Sequence, residues 1–392
     1  MHSTQKTLRL IAVAAFASMA SMRICDPMLV DLAREFQATT GDASRVIAAF
    51  AVAYGVLQLF YGPLGDRLGK IRVVVAATFA CALFSALTAM APTLQWLVLG
   101  RGAMGAAAAG IIPLSMAWIG DQVPYDQRQE TLARLMVATV SGMMAGQWFG
   151  GMAAQTLGWR TAFMVLSAVF LLAAFMLHRK TRHDPSHRPA DGAAAVSTAQ
   201  YFRNTLQLIR MPRVRWVLTI VTVEGALAFG TLAFVPSRLV DGFGFSVSAA
   251  GATMILYGVG GLIYSHFARR WLGLLGEKGL AVTGGTLIAC GLLALAWARL
   301  PALAIAACFL AGLGFYMLHN TLQTQATQMA PESRGTAVTL FACLLFLGQS
   351  CGVLLIAVSV DHGSLAATFS IAAVGILVLS GLISKRVQSR NR

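Results

Sequence analysis

The sequence predicts an all-α membrane protein of about twelve transmembrane helices, six on either side of a central linker. Three observations carry that expectation. Only 11% of the 392 residues are charged and 57% are hydrophobic, with a mean hydropathy of +0.70, whereas a water-facing domain carries about 25% charged residues. Apolar runs of about twenty residues recur along the chain, each long enough to cross a hydrocarbon core of about 30 Å. Strand-type alternation at the spacing of a membrane barrel is missing from the sequence.

The first span, 8–30, follows Lys6 and Arg9 and contains Ala17-Ser18-Met19-Ala20, so it imitates a secretory signal. Cleavage would leave an odd number of spans and put the basic termini on opposite sides. It is therefore expected to stay in the protein. Spans at 43–61 and 73–91 flank a knot of charge, Asp66, Arg67, Lys70 and Arg72, which cannot sit in hydrocarbon and reads as a tight surface loop. Spans at 94–119, 131–153 and 162–178 complete the first six. The only long break follows. It holds Arg179-Lys180-Thr181-Arg182, Pro185, Pro189 and a Gly/Ala/Ser/Thr stretch, too little apolar surface to fold alone. Spans at 214–236, 247–266, 279–298, 302–326, 337–358 and 364–383 make the second six. The expected organisation is a first bundle over 1–178, a linker over 179–213 and a second bundle over 214–392.

A formal net charge of +15 invites a nucleic-acid reading, but the distribution opposes it. Lysine and arginine crowd one side of the alternating spans: Lys6 and Arg9, the Arg67–Arg72 knot, Arg128 and Arg134, the linker and the C-terminus. The opposite side holds Arg34, Arg45, Arg160, Arg238 and Arg299. This positive-inside bias puts both termini in the cytoplasm, and the expected location is the inner (cytoplasmic) membrane. No nucleic-acid partner is expected. The six cysteines (25, 81, 290, 308, 343 and 351) fall inside spans with no C-x-x-C pair, so neither a disulfide frame nor a metal site is supported. No cofactor is expected.

The knot reads in full Gly62-Pro63-Leu64-Gly65-Asp66-Arg67-Leu68-Gly69-Lys70-Ile71-Arg72. It resembles the loop signature of the major facilitator superfamily between its second and third helices. Gly62, Asp66, Arg67, Gly69 and Lys70 match, while Ile71 departs and Arg72 supplies the last charge one place late. The resemblance implies the major facilitator fold, two pseudo-symmetric six-helix bundles related by an axis along the membrane normal. It also implies a conformational latch in which Asp66 and Arg67 bind partners between helices, with Asp121 the mate of Arg67 and Arg128 nearby. Weak internal symmetry agrees: Pro124-Tyr125-Asp126-Gln127-Arg128 follows the fourth span and Pro331-Glu332-Ser333-Arg334 the tenth. In the second half the knot is worn to Ser265-His266-Phe267-Ala268-Arg269-Arg270, which keeps the charge and loses the Asp.

The fifth span carries Gly142-x-x-x-Gly146-Gln147-x-x-Gly150-Gly151. It resembles the motif of the superfamily's twelve-span drug:proton antiporters, except that Gln147 stands where proline is usual. Small residues at this spacing let another helix approach closely, so Gly142, Gly146, Gly150 and Gly151 also read as plain packing residues. Arg101 with Gly105 resembles a further antiporter motif, with Met104 where glutamine is usual. Gly158-Trp159-Arg160 reads as an interfacial anchor.

Ionisable residues inside spans are costly unless paired or facing water, and so point to function. Arg23 and Asp26 share one face of the first span, and Arg101 enters the fourth at similar depth. Glu224 lies near the middle of the seventh span, and His319 and Asn320 lie toward the inside of the tenth. The resemblance implies that helices one, four, seven and ten line the central cavity. Asp26, Glu224 and His319 are thus candidates for proton coupling. Arg23, Asp26, Arg101, Tyr54, Gln147, Glu224, His319, Asn320 and Gln323 are candidates for solute binding. The plain alternative for Asp26 is an ion pair with Arg23 or Arg101 that only fixes helix packing, and for His319 a packing hydrogen bond.

The expected function is a proton-coupled exporter of small organic solutes or drugs, working by alternating access as a monomer in the lipid bilayer. The alternative is a proton-coupled symporter or exchanger for an organic anion, using Arg23 and Arg101. An enzyme is not expected, because no H-E-x-x-H, G-x-S-x-G or paired-Asp motif appears.

Overall fold

The computed structural model describes residues 2–182, 198–362 and 365–386, and these are helical with no strand. Ten segments are long and apolar enough to cross a membrane. The first four are α1 (Gln5–Glu35), α2 (Thr40–Leu68), α3 (Lys70–Ala89) and α4 (Leu94–Gln122). Next comes α5 (Tyr125–Thr156), whose 32 residues suffice to cross but whose opening turns carry Arg128, Glu130 and Arg134. It falls outside the ten because the stretch after Arg134, though free of charge, is diluted by Gly142, Gly146, Gln147, Gly150 and Gly151. Then come α6 (Trp159–Thr181) and α7 (Pro212–Phe243). The segment Val247–Trp297 counts once among the ten, yet Gly276, at φ 64° and ψ 175°, breaks it into two legs, α8 (247–275) and α9 (277–297). The last three are α10 (Pro301–Gln328), α11 (Pro331–Asp361) and α12 (Leu365–Arg386). Separating these two cases reconciles ten segments with twelve crossings. Part of the linker forms a helix, Thr198–Arg210; 183–197, with Pro185 and Pro189, lies outside the described residues.

The charged knot is not a loop. Helix α2 runs through Pro63 to Leu68 and α3 starts at Lys70, leaving Gly69 alone between them. Gly69 adopts φ 90°, a left-handed conformation that side chains resist. Asp66 and Arg67 therefore ride the last turn of α2, both exposed. Gly62 lies on the same helix with open space around it. Trp159 also departs from expectation. It is buried between Phe36 and Phe163, with its indole N–H donated to Glu35, because the chain folds α6 back onto the end of α1.

Helix packing is set by glycine at two equivalent places. A Cβ on Gly142, Gly146 or Gly150 would lie 2.2, 2.3 or 2.2 Å from the carbonyl oxygens of Phe16, Ala20 and Ile24, so α5 touches the α1 backbone directly. A Cβ on Gly348 or Gly352 would lie 2.0 or 2.2 Å from the carbonyl oxygens of Thr222 and Ala226, so α11 repeats this against α7. Without a hydrophobic drive between helices in lipid, such close approach is what holds them. The outward faces carry Leu355, Ile371 and Leu274, about 70% exposed, as a lipid-facing wall requires.

The two sets of six helices meet along α2 with α11 and along α5 with α8. Midway, Tyr54 meets Phe346 edge-on at 4.8 Å and Ser350 donates to the Ala48 carbonyl at 3.2 Å. At the end remote from the termini the seam is tight. Asp361 accepts from Thr39 Oγ1 (2.8 Å) and from the Gly41 amide (2.9 Å), and the Ser248 amide donates to Gln155 Oε1 (2.9 Å). A Cβ on Gly151 would stand 2.6 Å from the Val247 carbonyl oxygen. At the terminal end, Asp66 and Arg67 form no ion pair across the seam among the described residues.

Candidate functional site

Two irregular turns place the buried charges. The α-helical part of α1 stops at Arg23, and Asp26–Met28 forms a tight 3₁₀ turn before the helix resumes at Leu29. Pro27 has no N–H to donate, so the helical ladder cannot run through it. In α7 a π-turn, Gly225–Phe229, begins directly after Glu224. A Cβ on Gly225 would lie 2.2 Å from the Leu345 carbonyl oxygen, so the wider turn sits where α11 presses on α7. Single π-turns inside helices concentrate at functional sites.

Arg23, Asp26, Arg101 and Glu224 are all fully buried. Asp26 Oδ2 accepts from Arg23 Nη1 at 3.3 Å and from Gln147 Nε2 at 3.2 Å. Its Oδ1, together with Arg23 Nε and Nη2, has no partner. The Arg23 guanidinium lies 4.5 Å over the ring of Phe229, which belongs to α7. That cation–π contact crosses between the two sets of helices.

Glu224 Oε2 and His319 Nδ1 are 3.0 Å apart, and Glu224 Oε1 has no partner. The imidazole stacks on Phe315 at 5.0 Å and packs near Phe341 at 5.6 Å. Phe315 in turn sits 4.7 Å from Phe229. A chain of contacts thus runs from Asp26 through Arg23, Phe229, Phe315 and His319 to Glu224.

Arg101 is set apart from this chain. It donates to the backbone carbonyls of Ser21 (2.8 Å), Met22 (3.5 Å) and Val46 (3.4 Å) and lies 4.3 Å over Phe50. These contacts give each of its three nitrogens a backbone carbonyl and pin α4 to α1 and α2. The two arginines expected from sequence to act together thus face different partners, Arg101 the backbone of α1 and α2, and Arg23 the Asp26 carboxylate and the Phe229 ring. Tyr54 is committed to the α2–α11 seam, against Phe50 and Phe346. Asn320 lines a cavity of about 440 Å³ nearer the terminal end, with Tyr264, Arg269 and Glu277. Gln323 is half-buried and forms no hydrogen bond among the described residues.

In the knot, Asp121 pairs with Lys70 at 2.5 Å rather than with Arg67, and Lys70 also reaches Asp66 at 3.9 Å. The physical reason is the single-residue turn at Gly69. It starts α3 with Lys70 facing α4, while Arg67 on the last turn of α2 is left exposed. Arg128 donates to the Val123 carbonyl at 3.3 Å.

Gln349 of α11 was missed from sequence. It is 1% exposed, its Oε1 has no partner, and its backbone packs against Gly225, beside Glu224. The signal was present, because Gly146-Gln147-x-x-Gly150 and Gly348-Gln349-x-x-Gly352 are the same pattern in α5 and α11.

Comparison with known proteins agrees with this architecture. The family described as Major Facilitator Superfamily matches residues 11–353. The transporter YwfA of Bacillus subtilis is 26% identical over 385 residues, covering 94% of this chain and 87% of that protein. The chloramphenicol resistance protein of Streptomyces lividans is 26% identical over 378 residues, covering 95% and 94%. Among solved structures, the nucleoside transporter NupG superposes with a TM-score of 0.80 at 14% identity, covering 97% of this chain and 99% of that one. A likeness at that identity concerns the fold alone. With the family matched across most of its length and its helices arranged as described, this chain belongs to the Major Facilitator Superfamily.

Proposed function

We propose that the chain is a proton-coupled secondary transporter that exports small organic solutes by alternating access. The observation that carries this reading is the Glu224–His319 pair between α7 and α10 beside the π-turn, its carboxylate fully buried and its imidazole partly so. A carboxylate at membrane depth is costly and is kept where it serves transport. Here it holds one oxygen against an imidazole and leaves the other open, so a proton can be taken up on Glu224 and passed on when the pair loosens. Asp26, held by Arg23 and Gln147, is the second acid of the cycle. The chloramphenicol resistance relative supports export as the direction.

In this reading the sealed end remote from the termini is the outer end of an inward-facing state, in the inner membrane with both termini cytoplasmic. The halves 1–178 and 214–392 rock about the buried site, as a monomer. When the terminal end closes, Asp66 and Arg67 find partners across the seam and hold the outward-open state. Arg23 alone, with two unpartnered nitrogens, Nε and Nη2, supports the second reading, a symporter or exchanger for an organic anion.

The test is solute-driven proton flux. Protein reconstituted in vesicles with a trapped pH dye is challenged with a broad solute panel under an imposed pH gradient. An antiporter discharges the gradient faster when its solute is present. Discharge that never responds to any solute in the panel contradicts proton coupling.

A further inference from the structure

We propose that the buried site takes a small zwitterion, a solute carrying a cationic donor and an anionic acceptor, and that Gln349 is one of the groups that bind it. This rests on the reading of the chain as a transporter and names its substrate class.

The starting point is the repeated Gly-Gln-x-x-Gly pattern. Gly146 docks on the Ala20 carbonyl and Gly150 on that of Ile24, while Gly348 docks on the Thr222 carbonyl and Gly352 on that of Ala226. The two glutamines therefore occupy corresponding places in α5 and α11. Gln147 is used, since it donates to Asp26. Asp26 lies two residues beyond Ile24, and the equivalent place beyond Ala226 is Ala228, which offers no carboxylate. Gln349 is buried in the same way and has nothing equivalent to bind. In the antiporter motif that this stretch resembles, proline stands at the Gln147 position and supplies no donor there. The amide is thus a feature of this chain, present twice and employed once.

A buried amide without a partner is destabilising unless a ligand supplies one. Gln349 lies beside Glu224, its backbone against Gly225, and the other unpartnered atoms of the buried site have a pattern of their own. Arg23 Nε and Nη2 are free donors on one side, while Asp26 Oδ1, Glu224 Oε1 and Gln349 Oε1 are free acceptors. Each nitrogen of Arg101, by contrast, already donates to a backbone carbonyl. A purely anionic solute would engage Arg23 and stand against two carboxylates. A purely cationic one would engage the carboxylates and leave Arg23 Nε and Nη2 without an acceptor. A zwitterion meets both, with its carboxylate on Arg23 and its ammonium among Asp26, Glu224 and Gln349. Between them, Phe229 and Phe315 offer an apolar face for the body of the solute.

The experiment compares charge forms on a fixed scaffold. Wild-type protein in nanodiscs is titrated by calorimetry with phenylalanine, phenylalaninamide and N-acetylphenylalanine, which are zwitterion, cation and anion. The same three forms of leucine and tryptophan follow. The proposal expects the zwitterion of at least one scaffold to bind about tenfold more tightly than both partners, the worth of one hydrogen bond to a charged group. Gln349→Leu should then weaken that zwitterion about tenfold, with Gln349→Asn intermediate, while the unliganded melting temperature stays near wild type. If Gln349→Leu melts early, the Asn variant decides. Preference for the cation or the anion, or binding of none on any scaffold, overturns the proposal. If another solute still drives proton flux in the vesicle assay, only the zwitterion inference has failed. If no solute does, the transport reading has failed with it.

Discussion

At the scale of single residues, two buried arginines play opposite parts. Arg101 spends its donors on carbonyls of α1 and α2, whereas Arg23 keeps two donors unspent beside Asp26. Arg101→Lys cannot reproduce a planar fork directed at three carbonyls. It should cost on the order of 2 kcal/mol of stability, read as a lower melting temperature, with transport falling only as folded protein is lost. Arg23→Gln leaves the buried Asp26 without its cation and so also costs stability, but transport should fall by more than the loss of folded protein explains. A fall in transport matched to the loss of folded protein would mean that Arg23 is a packing residue. Sequence exposed both arginines, and Asp26 and Glu224, because charge in an apolar run is conspicuous. It could not say which arginine was consumed, since that depends on which carbonyls a neighbouring helix presents.

At the scale of elements, glycine decides where helices touch. An added methyl on Gly146 would enter the Ala20 carbonyl, while one on Gly62 meets nothing within 4 Å. Gly146→Ala should therefore destabilise the fold, whereas Gly62→Ala should leave it unchanged or gain up to about 1 kcal/mol from helix propensity. Thermal melts of the two variants separate a packing glycine from one that only matches a motif. In the charged knot, Asp66→Asn should reduce transport strongly with folding and insertion intact, and normal turnover would leave the knot only a topological role. The stripe over Gly142–Gly151 was legible because its spacing is helical. The 3₁₀ turn at Asp26–Met28 was signalled only by Pro27. The π-turn at Gly225–Phe229 had no local signal, because it arises where another helix crosses. The Lys70–Asp121 pair has no sequence signal for a related reason: clustered charge implies a loop, whereas one left-handed glycine joins two helices here.

At the scale of the whole molecule, the seam is closed at the end remote from the termini and unlatched at the other. Cysteines at Gln155 and Ser248, in a background free of native cysteine, should be bridged by a short bis-thiol-reactive reagent with a reducible link, which replaces the glutamine arm that spans the seam to the Ser248 amide. The bridge should stop transport until a reductant is added. Uninterrupted turnover in the cross-linked protein would rule out rocking at this end. The fold was largely legible in the sequence, because the bilayer forces long apolar runs. The count differed only where glycines and Gln147 dilute the apolar run of α5 and where Gly276 divides one continuous segment. The central claim is that Glu224, paired with His319, couples solute movement to protons. The most direct measurement compares wild type with Glu224→Gln in acid-loaded vesicles, using a solute that drives proton flux in the wild type. The account predicts that Glu224→Gln loses uphill accumulation while solute-for-solute exchange persists. Full uphill accumulation by Glu224→Gln would contradict it.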